Sequence, residues 1–107
     1  MNEINPERAI RYIMEKAPMF AQAKANRVFL ENYISTVKSK LMLEEEGTLG
    51  HKDAYAKSHP DYIAQLEALK IATEQEEHLK YMLLAAQAKI DVWKTMEFTK
   101  RQEMKNL

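Results

Sequence analysis

The stretch PDYIAQLEALKIATEQEEHLKYMLLAAQAKIDVWKTMEFTKRQEM, residues Pro60 to Met104, contains no glycine and no proline after its first residue. It is dense in Ala, Leu, Glu, Lys, Gln and Met, the residues that lose least on entering a helix. At 1.5 Å of rise per residue it predicts one helix of roughly 65 Å. Its apolar residues recur at spacings of three and four: Tyr62, Leu66, Leu69 and Ala72, then Leu79, Leu83, Ala86, Ile90 and Trp93. Such a stripe belongs to a helix that packs lengthwise against another. Only the polar run from Thr73 to His78 interrupts it.

The matching helix lies upstream, where Leu30, Ile34, Val37 and Leu41 repeat the same spacing. Asn5, Pro6 and Glu7 place an N-cap, a proline at the first helical position and an acid in the first turn. Pro18 removes a backbone donor and crowds the preceding turn, so the first helix should kink or break near Lys16. Gly47 supplies a stop. The spacing therefore predicts helices over 6–16 and 18–46, a connector over 47–59 with one short helical turn near Asp53 to Lys57, and a long helix over 60–104. These elements read as a single all-α domain, a long antiparallel helical hairpin with its first arm kinked at Pro18. Counting back from the connector sets Pro18 near Ala88 and Pro6 near Lys100.

Each helix carries further apolar residues off its main stripe, among them Ile63 and Leu84, and a two-helix protein cannot bury them alone. Pairing two coiled-coil hairpins into a four-helix bundle would, giving a homodimer with Phe29, Tyr33, Met82 and Trp93 as interface residues. The alternative is a monomer whose first helix folds back at Pro18 and packs Ile10, Ile13 and Met14 near Trp93.

Cysteine is absent, which excludes disulfides and thiolate metal sites. No apolar run reaches the ~20 residues a membrane helix needs, and the start Met-Asn-Glu-Ile-Asn is not a signal peptide, so no membrane partner is expected. The chain has no net charge, but the charge is unevenly spread. Residues 1–30 and 86–107 each hold five bases against three acids, while 31–85 hold six bases against ten acids. In a hairpin both termini share one end, which would be basic. If nucleic acid is bound, Lys24, Arg27, Lys89, Lys94, Lys100 and Arg101 are the residues expected to meet it. Proteins this close to neutrality are not usual DNA binders, and a protein partner is the stronger expectation.

Nothing in the sequence reads as catalytic. His51, His59 and His78 are the only histidines, and no Ser stands in a nucleophile context. Glu74 and His78 share a helix face, but a di-iron bundle needs a Glu-x-x-His pair on two helices, and here neither copy exists. No cofactor and no metal are expected. The run Glu44-Glu45-Glu46 reads as a solvated helix end that opposes the helix dipole. Tyr55 and Tyr62 are expected to fold over Leu43 and Leu66 at the connector.

Three stretches carry a resemblance: Ala21-Gln-Ala-Lys-Ala-Asn-Arg-Val-Phe-Leu-Glu31, Ala54-Tyr-Ala through Pro60-Asp-Tyr62, and Tyr81 to Lys94 with the charged tail after it. Across most of residues 17–104 the chain resembles a family of small helical proteins of tailed phages and prophages. Such proteins are often encoded near recombination and single-strand-annealing genes. The resemblance implies a non-enzymatic accessory role in phage DNA replication or recombination, in the cytoplasm of a bacterial host, through a phage or host protein partner. It implies no catalytic residue. Two other expectations for such a chain are a host-directed inhibitor and a structural helical spacer with no nucleic-acid role.

Overall fold

The computed structural model describes residues 3–106, and among them three helices and no strand: α1 Pro6–Glu44, α2 Leu49–Ser58 and α3 Pro60–Lys105. α1 starts as its sequence directs. The Asn5 side-chain oxygen accepts the Arg8 N–H at 3.1 Å, and Pro6 occupies the first turn, where a missing donor costs nothing.

Of the kink or break expected near Pro18, the break does not occur: α1 is one helix of 39 residues that contains it. Proline there forfeits the hydrogen bond to the Met14 carbonyl. Ala17 and Pro18 are both exposed, however, so the ring meets solvent rather than a packed neighbour. The turns on both sides are held by buried or partly buried residues at heptad spacing, Ala9, Ile13, Lys16, Phe20, Ala23, Arg27, Leu30, Ile34, Val37 and Leu41. Continuity also removes the alternative in which the first helix folds back at Pro18.

α1 ends at Glu44, two residues earlier than the expected Glu46. Three adjacent carboxylates there oppose the helix dipole, and Gly47, at φ +130°, turns the chain away in a conformation that other residues rarely adopt. The connector is a second correction: not one turn but a ten-residue helix, α2. Its start is set by Thr48, whose hydroxyl oxygen accepts the His51 N–H at 3.2 Å. This is an N-cap with a glycine, Gly50, confined to the first turn. A single residue, His59, joins α2 to α3. Its N–H donates to the Ala56 carbonyl, its Nδ1 accepts the Asp61 N–H at 3.0 Å, and its carbonyl accepts the N–H groups of Tyr62 and Ile63. α3 then runs 46 residues from Pro60, as read from its sequence.

The chain divides into two compact units, one spanning Gln22–Glu76 and the other combining the chain up to Ala21 with the chain from Glu77 onward. In the first unit α1 and α3 are antiparallel. Arg27 bonds Glu76 at one end, while Leu41 shares a groove of about 290 Å³ with Ala64 and Gln65 at the other. Gln65, rather than the expected Leu66, takes the inward position there, and Leu66 is 44% exposed. In the other unit Ala9, Ala86 and Ile90 are buried. Asn5, Arg8 and Ala9 line a groove of about 810 Å³ together with Met82, Ala85, Ala86 and Lys89. The start of α1 therefore lies beside 82–89, not near Lys100 as equal arm lengths would place it.

Among the described residues six apolar side chains are buried: Ala9, Leu41, Ala56, Ala72, Ala86 and Ile90. Four of the six are alanine, which lets helices approach closely but removes little apolar area from water.

Candidate functional site

The polar run that interrupts the α3 stripe begins at Thr73 and puts Glu76 at one end of the Gln22–Glu76 unit. Glu76 is only 6% exposed. Arg27 meets it as a fork, Nε to Oε2 at 2.5 Å and Nη2 to Oε1 at 3.0 Å, while Nη1 reaches Glu31 at 2.8 Å, one helical turn along. A planar guanidinium matches a carboxylate in this two-point geometry. The hydrogen bond to Glu76, aided by the charge of Glu31, raises the Arg27 pKa further above its ordinary value. Arg27 was expected at a nucleic-acid surface. Its guanidinium is instead spent on two carboxylates within the chain.

A second ionic contact ties α1 to α2. Asp53 accepts from Lys38 at 2.5 Å and from Lys57 at 3.0 Å. The Lys38 and Lys57 hydrogen bonds hold the Asp53 carboxyl below the usual carboxylate range, and the same contact raises the Lys38 ammonium above its usual value. Near the turn, burial pushes the Tyr55 hydroxyl pKa up, and the charges of Glu44 and Glu45 add to it. Tyr55 sets its ring edge-on to His59 with centroids 5.7 Å apart. It does not cover Leu43, which is 85% exposed.

The other basic residues singled out from sequence, Lys24, Lys89, Lys94, Lys100 and Arg101, are exposed. Lys24 belongs to the Gln22–Glu76 unit and the remaining four to the other. Lys100 lies 3.6 Å from Glu97. In that second unit nine bases face seven acids, and the ratio is reversed in the first. Among the described residues no trio of His, Asp or Glu is placed to hold a metal, and Glu74 and His78 stand exposed. No helix among them is long and apolar enough to cross a membrane.

The four residues nominated for an interface differ in exposure. Phe29 is 60% exposed and stacks on Tyr33, with centroids 5.5 Å apart and planes inclined by 12°. Met82 is exposed and lines the larger groove, and Trp93 is half-buried. Ile10, Met14, Val28, Ile71 and Val92, which the sequence reading gives no interface role, are exposed as well, and so is Leu84, which it leaves for a second hairpin to cover. The signal was present: Ile10, Met14 and Val28 each follow an inward-facing residue by one, and Ile71 and Val92 each precede one. They fall on the flanks of the heptad seam rather than on it.

No protein-family model, no curated protein and no solved structure matches this chain.

Proposed function

We propose that this chain is a non-enzymatic accessory protein that works by binding other proteins, a second copy of itself first among them. The observation that supports this reading is the imbalance between the apolar side chains that are covered and those that are not. Among the described residues four small alanines, one leucine and one isoleucine are the apolar side chains buried, while large residues such as Phe29, Ile71 and Leu84 remain in water. Singly scattered exposed apolar residues are ordinary on a protein surface, but helix flanks lined with them characterise association surfaces. The resemblance carried by 21–31, 54–62 and 81–94 supplies the process: DNA replication or recombination in a phage or prophage, within a bacterial host. Contact with nucleic acid is the lesser part of this reading. Arg27 is paired, and Lys89, Lys94, Lys100 and Arg101 alternate with Asp91, Glu97 and Glu103 along α3.

The test is light scattering after size-exclusion chromatography, run with and without a short single-stranded oligonucleotide at low and high salt. The expected result is a dimer whose mass does not change with the oligonucleotide. A monomer at all concentrations overturns the association reading. A mass gain at low salt that vanishes at high salt would move the function to phosphate-backbone binding.

A further inference from the structure

The larger groove is a specific place rather than a general stickiness. Its lining combines the small side chains of Ala85 and Ala86 of α3 and Ala9 of α1 with the larger ones of Tyr12, Met82 and Lys89. Small lining residues let another helix come close, and the long, adaptable side chains among them can close over it. Both signs of charge border the groove: Arg8 and Lys89 on one hand and Glu3 on the other. A two-fold pairing brings each patch against its own copy, so a surface holding both signs is self-complementary where a single-sign surface would repel itself.

The apolar side chains left exposed in this unit point to the same occupant: Ile10, Met14, Leu84 and Val92 stand in water, while Ala9, Ala86 and Ile90 are the apolar ones buried among its described residues. We infer that the groove between the first turns of α1 and residues 82–89 of α3 is the surface on which a second copy of this chain docks, in an isologous pair. The inference rests on the self-association proposed above and adds where it takes place.

The experiment measures the monomer–dimer equilibrium by sedimentation equilibrium for the full chain and three variants. Ala85→Arg and Met82→Arg put charge and bulk into the groove at exposed helix positions, and arginine is a good helix former, so helicity at 222 nm should be retained. Ile71→Arg makes the same change at an exposed site of the other unit. The expected result is a dimer weakened on the order of 30-fold or more by either groove variant, as for a hot-spot loss, and unchanged by Ile71→Arg. A wild-type chain that stays monomeric overturns the association reading and the groove with it. A wild-type dimer that survives both groove variants, or that Ile71→Arg also dissociates, overturns the groove alone and leaves self-association standing.

Discussion

Arg27 and Glu76 occupy inward positions that every heptad argument reserves for apolar residues. Two charges drawn out of water there are tolerable because each Glu76 oxygen receives its own guanidinium donor and Glu31 takes a third. Removing one partner leaves the other in the seam without its match. Glu76→Ala and Arg27→Ala should each lower the urea midpoint clearly more than Lys57→Ala, which removes an exposed contact one turn along its own helix. The double variant Arg27→Leu with Glu76→Leu should recover much of the loss. Equal effects of Arg27→Ala and Lys57→Ala would show that the fork does not hold the two helices together. Arg27→Lys keeps the charge but loses the two-point geometry, and its midpoint should fall between wild type and Arg27→Ala. Leu41, the largest side chain in the sparse core alongside Ile90, sets the comparison for apolar contacts. Leu41→Ala should cost about 2–5 kcal/mol by the same titration, and a loss under about 1 kcal/mol would mean the site collapses around the gap.

Helix boundaries depend on local chemistry, and where that chemistry stood alone the sequence was readable. Asn5-Pro6-Glu7, Gly47 and Pro60 mark ends that the structure keeps to within a few residues. Pro18 misled because its penalty, about 3 kcal/mol in a helix interior, is a local quantity set against a stripe of contacts on either side. Pro18→Ala should therefore restore the hydrogen bond to the Met14 carbonyl and raise stability on the order of 2 kcal/mol, once the loss of unfolded-state restriction is counted. A destabilised Pro18→Ala variant would mean that the proline shapes a packing the straight helix cannot make. Sequence reading sees only one turn of α2, near Asp53 to Lys57, because its cap is a threonine between two glycines, a composition that ordinarily marks a loop. Gly47→Ala should be destabilising by roughly 1 kcal/mol or more, since a Cβ at φ +130° would stand 2.9 Å from the His51 ring. The Lys38–Asp53 contact that ties α2 to α1 was invisible for a different reason: it depends on tertiary placement, not on spacing. The lowered Asp53 pKa means its contribution is complete above the ordinary carboxylate range and fades as pH falls through the lowered value. Thermal stability should drop in acid, with part of that drop abolished in Asp53→Asn. An identical acid profile in the variant would remove Asp53 from the account.

At the scale of the whole molecule, stability and association should be one quantity. For a chain whose core is mostly alanine and whose large apolar residues flank the seam, the proposed partner would supply burial that the single chain lacks. Charge cannot supply that partner's identity, because the unit that includes α3 beyond Glu77 has only two bases more than acids. If a second copy covers the groove, the unfolding midpoint must rise with protein concentration, since mass action favours whichever state is dimeric. Thermal melts at concentrations spanning a hundredfold should show a steady increase for wild type. Ala85→Arg should show a smaller increase, displaced to higher concentration. A concentration-independent midpoint for wild type would mean that the two units stand without a partner. The exposed flanks of α1 and α3 would then have to be explained by a protein other than this one.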